Sequence, residues 1–388
     1  MGKFSVIMKK QIAFLFFMLP AISWGQNYIK PEQLDKTRFE NQDFYEVKDY
    51  TKKTSKKQIV KNVIFLIGDG MGTSQVYAGL LSNKGESYLK SMPVSGYSKT
   101  NSSDDLITDS AAGATAFSIG EKTYNGAIGV DKNEVPKKTI LEMAEEKGLG
   151  TGLIATCAIT HATPASFIAH QQNRGMQEEI AADFLKTDID LFIGGGRKYF
   201  NQRTDGRDLL IELEAKGYNV ITSMDSLKFA KKGNIAALIE EEHPQPAALG
   251  RDDMLQNASE FAIKKLKKNK NGFFLMIEGS QIDWGGHDNN VPYIVTEMLD
   301  FDRTLGEVLK FAASDGETLV VVTADHETGG FSVNGGSLET GVVEGKFTTG
   351  GHTGVMVPVF AYGPQAELFS GVMENTDIFY KFKEVLGW

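Results

Sequence analysis

From residue 62 onward, short apolar runs alternate with helical patterns, and this alternation limits the chain to very few architectures. Residues 63–67, 152–155, 190–193, 273–277, 319–323 and 357–362 are β-branched or aromatic-rich runs with the length of buried strands. Helical periodicity marks 139–147, 253–268, 291–311 and 376–385. This order predicts an α/β chain, a three-layer α/β/α sandwich around a mostly parallel central sheet. Ligands of such sheets bind outside the carboxyl ends of the strands, so residues that carry chemistry are expected there.

They fall there repeatedly. Gly68-Asp69-Gly70-Met71-Gly72 follows the first run, and Glu278, Asp283 and His287 follow the 273–277 run. Asp325 and His326 follow the 319–323 run, and His352 precedes the last one. A single Asp or His at a strand end is ordinarily a cap or a loop hydrogen-bonder. As a set, mixed Asp and His donors suit Zn²⁺ at nitrogen and oxygen sites and Mg²⁺ at oxygen sites. Asp109-Ser110, ahead of the small residues Ala111-Ala112-Gly113-Ala114, is the pattern of an ordinary helix N-cap. The same position puts Ser110 at a helix N-terminus, where N–H groups and the dipole favour a phosphate or an alkoxide. No Gly-x-Ser-x-Gly elbow surrounds it, so a Ser-His-Asp hydrolase is not the natural reading.

The N-terminus reads as an export signal over residues 1–25. Lys3, Lys9 and Lys10 form a basic region, an apolar stretch runs to Trp24, and Ser23 and Gly25 are small at the cleavage positions. The apolar stretch is too short for a stable bilayer span, so an exported protein without membrane insertion is expected, periplasmic or extracellular. Residues 26–61 read as a polar, solvated N-terminal arm, with lysines at 52, 53, 56 and 57. Residues 62–388 read as the catalytic domain. The formal net charge of −9, with no long basic stretch, argues against a nucleic-acid partner. An anionic substrate then needs local positive charge from metal ions or a placed arginine. The only cysteine, Cys157, excludes an intrachain disulfide; it lies in an apolar run and reads as a buried, inert thiol. His170 and His243 read as ordinary non-ligand histidines, and residues 195–257 and 335–351 carry little motif.

Six segments taken together resemble the alkaline phosphatase family. They are Ile67-Gly68-Asp69-Gly70-Met71-Gly72, Thr108-Asp109-Ser110-Ala111-Ala112, Lys122-Thr123-Tyr124-Asn125-Gly126, Ala162-Thr163-Pro164-Ala165, Glu278-Gly279-Ser280-Gln281-Ile282-Asp283 and Thr323-Ala324-Asp325-His326-Glu327-Thr328-Gly329-Gly330. The resemblance runs in order from about residue 62 to the C-terminus. It implies hydrolysis of small-molecule phosphate monoesters through a phosphoserine on Ser110, two Zn²⁺ and one Mg²⁺ per chain, and a homodimer. It assigns Asp283, His287 and His352 to the first zinc, and Asp69, Asp325 and His326 to the second. Asp69, Thr163 and Glu278 go to the third metal, with His161 beside it. Arg174, thirteen residues after His161, matches the arginine that clamps phosphate, a role that suits its planar fork of donors. Activity is expected to rise toward alkaline pH, since metal-bound water ionises at roughly pH 7 to 9.

Two positions depart from the enterobacterial pattern: His161 stands where that group has an aspartate, and Trp284 where it has a lysine. Both changes remove charge from the outer phosphate site, so product phosphate is expected to be held less tightly.

Overall fold

The computed structural model describes residues 28–32, 35–50, 59–230 and 232–388. The export-signal reading of residues 1–25 and the lysines at 52–57 lie outside the described residues. Among the described residues no helix is long and apolar enough to cross a membrane.

A ten-stranded sheet forms the centre. Its strands in chain order are β1 (Asn62–Gly68), β2 (Val94–Lys99), β3 (Gly150–Ala158), β4 (Leu191–Gly195), β5 (Asn219–Ile221), β6 (Ile235–Leu238), β7 (Phe273–Gly279), β8 (Thr318–Thr323), β9 (Val357–Tyr362) and β10 (Gly371–Glu374). Across the sheet they lie in the order β10-β2-β9-β8-β1-β7-β3-β4-β6-β5, and every strand except β9 runs in the same direction. The central strands are buried on both faces, as their unbroken apolar runs require. Alternate residues of β1 divide between two cores. Val63, Phe65 and Ile67 face one with Phe117 and Phe382, while Ile64 and Leu66 face the other with Leu255, Val295 and Leu305. The two cores hold helices α1 (Thr73–Ser82), α2 (Ser110–Ile119), α3 (Met254–Leu266), α4 (Gln281–His287), α5 (Val291–Asp315) and α6 (Asn375–Leu386) against the sheet. That is the expected sandwich.

The register of the central strands builds the site. Ile67 of β1 lies opposite Glu278 of β7 and Thr323 of β8, and Ala155 of β3 also lies opposite Glu278. Asp69, Glu278 and Asp325 are therefore delivered side by side at the carboxyl edge.

The sequence reading misses β2, β5, β6 and β10. β2 alternates buried and exposed residues, while β5 and β10 are short strands at the two sheet edges. Residues 335–351 are not plain loop: Ser332–Ser337 and Val342–Lys346 form a hairpin. The arm supplies that hairpin's third strand, Arg38–Glu40, which corrects the expectation of a solvated segment. Lys36 bonds Asp288 at 2.8 Å, the Val291 N–H donates to the Lys36 carbonyl at 2.8 Å, and the Tyr45 hydroxyl donates to Asp302. In the 195–257 stretch, Arg251 is buried against Glu297 and Asp300 of α5 at 2.6 Å, which fixes that segment to the core.

Candidate metal centre and nucleophile

Ser110 is the first residue of α2, and its side chain is buried. Asp109 caps the helix by accepting from the Ala112 N–H at 2.9 Å. With its other oxygen Asp109 accepts from Arg174 Nη1 at 3.0 Å, which aims the guanidinium at the same helix end. The sequence reading gave Asp109 only the cap. Ser110 Oγ lies 3.2 Å from His326 Nε2. Two glycines permit the close packing here. A Cβ on Gly113 of α2 would stand 3.0 Å from the Asp325 side chain, and one on Gly70, where φ is +74°, would stand 2.6 Å from Asp283 Cα.

Among the described residues, side chains that could hold a metal ion gather in three groups, each with one candidate ligand atom per residue within 4.8 Å of the others. Asp283, His287 and His352 form the first; Asp69, Asp325 and His326 the second; Cys157, His161 and Glu278 the third. Thr163 joins the second to the third, since its hydroxyl donates to Asp69 Oδ2 at 3.5 Å. Arg174 Nη2 lies 3.4 Å from His161 Nε2. Trp284 is 1% exposed. Its indole stacks beneath Tyr28 of the arm, with centroids 4.9 Å apart, and meets His161 and His243 edge to face. His243 lines this wall while accepting from the Ala158 N–H at 2.9 Å. His170 sits apart, bonded to Glu142 at 3.0 Å.

These groups fit cations. In the first, the Nδ1 atoms of His287 and His352 face the carbonyls of Gly350 and Thr108 at 2.7 and 2.9 Å and therefore carry the protons. Their Nε2 lone pairs then converge 3.1 Å apart on Asp283 Oδ1, at 3.4 and 3.5 Å, an arrangement that repels itself without a positive charge between. Without metal, Asp283 holds His352 above the ordinary histidine value against the pull of burial. Burial alone would raise Asp283, but His287, His352 and His326 hold it well below the usual carboxylate range. In the second group, Thr328 donates to Asp283 at 2.5 Å and its oxygen faces His326 Nδ1 at 3.2 Å. His326 Nδ1 is thereby assigned the proton, and Nε2 is free to act as a ligand. Thr328, which the sequence reading left without a role, orients both groups.

Among the buried side-chain atoms with no hydrogen-bond partner are Asp69 Oδ1, Asp325 Oδ2, Glu278 Oε1 and His161 Nδ1. Burial and the neighbouring carboxylates push Asp69 well above its ordinary value and Asp325 up to about 6. Burial and Asp325 push Glu278 up to about 8. Carboxylates so crowded ionise together only when cations neutralise them.

Comparison with known proteins agrees with this chemistry. The alkaline phosphatase family model matches residues 60–343 and 342–388. The chain is 36% identical to "Alkaline phosphatase 3" of Bacillus subtilis over 413 aligned residues, covering 84% of this chain and 89% of that protein. Its fold is similar to that of the alkaline phosphatase from the Antarctic bacterium TAB5, with a TM-score of 0.81 and 44% identity, covering 85% of this chain and 99% of that one. A histidine-to-aspartate mutant of the TAB5 enzyme, similar at TM-score 0.80 and 43% identity over the same shares, has magnesium bound in its M3 site. With the catalytic-type serine, the arginine and three cation-ready groups at one sheet edge, these matches establish that the chain belongs to the alkaline phosphatase family, metal-dependent hydrolases of phosphate monoesters.

Proposed function

We propose that the chain hydrolyses phosphate monoesters through a covalent phosphoserine on Ser110. The observation that carries this is the placement of Ser110 Oγ. It stands at the N-terminus of a ten-residue helix, 3.2 Å from His326 in the Asp69/Asp325/His326 group, with Arg174 anchored to the preceding residue. The helix N-terminus turns N–H groups and the positive end of its dipole toward a phosphate. Arg174 donates its paired N–H groups to two non-bridging oxygens, and Asp109 keeps the fork in register. Ser110 Oγ attacks phosphorus and the alcohol departs; water then attacks the phosphoserine, which releases inorganic phosphate and restores the hydroxyl.

Asp283, His287 and His352 would hold one zinc, Asp69, Asp325 and His326 a second, and Asp69, Thr163 and Glu278, with His161 beside them, a third cation, magnesium by the family resemblance. When bound, these cations acidify a hydroxyl or water and stabilise charge on the attacking and leaving oxygens. The facing lone pairs and the unpartnered buried carboxylate oxygens support this reading. The magnesium in the M3 site of the TAB5 mutant supports a third cation here.

We also infer an exported, periplasmic or extracellular protein cleaved after Gly25, and a homodimer. Mass spectrometry of the mature N-terminus and light scattering test these. The test of the main reading is metal content alongside p-nitrophenyl phosphate turnover, before and after chelation and with zinc and magnesium add-back. Turnover lost and restored in step with the metal is expected; undiminished turnover in metal-free protein would overturn the reading.

A further inference from the structure

The arm ahead of the central sheet lies outside the span matched by the family model, which begins at residue 60, yet it reaches the site. Its foothold is α4. Asp283 and His287 of that helix, four residues apart, supply two of the three members of the first cation group. Trp284 and Asp288 each come one residue later and so share the neighbouring face of the same turn, which is the face the arm grips. Lys36 Nζ meets Asp288 at 2.8 Å and Lys30 Nζ meets it at 3.6 Å. The half-buried Tyr28 ring lies on the Trp284 indole with the two planes only 15° apart, and Lys30 Nζ stands 5.1 Å from the Tyr28 centroid.

Trp284 leads on to the phosphate clamp. Its indole meets His161 edge to face at 6.0 Å, and His161 Nε2 lies 3.4 Å from Arg174 Nη2. Trp284 Nε1 is buried with no hydrogen-bond partner among the described residues, so packing, not hydrogen bonding, fixes the ring. Among the described residues Tyr28 gives the indole its stacked contact, while His161 and His243 touch it edge to face. Burial and the charges of Asp283 and Asp288 raise the Tyr28 phenol above its ordinary value, so the ring stays neutral and does not serve as a base.

We propose that Tyr28 is a positioning residue for the phosphate site: stacked on Trp284, it holds the indole, and through it His161 and Arg174, in the arrangement that grips the substrate's phosphoryl group and the product phosphate. This builds on the phosphate site of the preceding reading and adds to it a wall that the chain carries ahead of the family match.

Inorganic phosphate is the probe. Metal-loaded wild type, Tyr28→Ala, Tyr28→Leu, Tyr28→Phe and Tyr45→Phe are compared by calorimetric titration with phosphate, by p-nitrophenyl phosphate kinetics and by thermal melting. Tyr28→Ala and Tyr28→Leu both remove the flat face, the second while keeping apolar bulk; each should bind phosphate about threefold or more weaker and raise KM alike, with no matching fall in kcat. Tyr28→Phe keeps the face and should bind phosphate as wild type does. Tyr45→Phe removes the hydroxyl that ties the arm to Asp302 of α5, so it should melt lower with phosphate affinity unchanged, which separates positioning from bulk stability. Wild-type phosphate affinity in Tyr28→Ala and Tyr28→Leu, affinity in Tyr28→Phe as weak as in Tyr28→Ala, or an equal loss in Tyr45→Phe would overturn the proposal. The expected ranking of phosphate affinities in protein without turnover would keep it and overturn the phosphatase reading, so the two failures are distinguishable.

Discussion

Replacing Asp109 with asparagine separates two jobs that the structure gives one side chain. One Asp109 oxygen caps the Ser110 helix at 2.9 Å, and the other holds Arg174 at 3.0 Å. Asparagine caps a helix as well as aspartate does, so Asp109→Asn keeps the cap. With its oxygen on the Ala112 N–H, its amide nitrogen turns toward Arg174, and one charge-assisted hydrogen bond is lost. Such bonds contribute about 1.5–3 kcal/mol when well buried. Here the side chains of Arg174 and Asp109 are 21% and 20% exposed, which brings the expected cost nearer 1 kcal/mol. That corresponds to about a fivefold weaker grip on phosphate. The assay is competitive inhibition of p-nitrophenyl phosphate turnover by inorganic phosphate. Both the inhibition constant and KM should rise about fivefold, with no matching fall in kcat. Asp109→Ala should show the same kinetic change and lose about 1 kcal/mol more stability, because the cap goes too. An unchanged phosphate inhibition constant in Asp109→Asn would refute the idea that Asp109 holds Arg174 in its working position.

Three further outcomes follow from the same geometry. Trp284→Lys puts an ammonium beside His161, where the indole now lies enclosed; phosphate inhibition should tighten several-fold while stability falls by about 3 kcal/mol, and an unchanged inhibition constant counts against the charge argument. Metal-free protein should lose stability as pH rises. Glu278 and Asp325 are raised from 4.5 and 3.8 to about 8 and about 6, so the folded state keeps protons that the unfolded state has shed. Their contribution is full below the ordinary carboxylate range and drains away at about 1.4 kcal/mol per pH unit per group while that group is protonated in the folded state and ionised in the unfolded one, up to about pH 6 for Asp325 and about pH 8 for Glu278. Metal-loaded protein should lack this slope, and parallel melting curves with and without chelator would contradict it. Thr328→Val should lower metal affinity about 10-fold or more, since it removes the hydroxyl between Asp283 and His326; equilibrium dialysis against zinc measures this.

The sequence announced the central strands because residues such as Val63–Ile67 are apolar on both faces, and only a doubly covered parallel sheet asks for that. The strands toward the two sides of the sheet were silent. Asn219–Ile221 is too short to show a period, and Val94–Lys99 is half-exposed and carries a glycine. The arm looked solvated because its charges dominate its composition, although Tyr28 and Tyr45 are its anchoring residues. Ligand candidates were legible because strand ends deliver them in sequence beside apolar runs. Arg174 needed the family resemblance, since its tie to Asp109 spans 65 residues. Cys157 is the buried thiol that its apolar run predicts, although its sulfur also comes within 3.5 Å of Glu278, a contact 121 residues away in sequence that no local pattern announces. Thr328 stood within a quoted motif, and only the distances to Asp283 and His326 reveal what it does.

The central claim is a covalent phosphoserine on Ser110. It is tested most directly by quenching the enzyme in acid during turnover of a phosphate-labelled monoester and mapping the label by peptide mass spectrometry. The account predicts label on the peptide that contains Ser110 in wild type, and neither label nor turnover in Ser110→Ala. Turnover with no labelled serine, or full activity in Ser110→Ala, would contradict it.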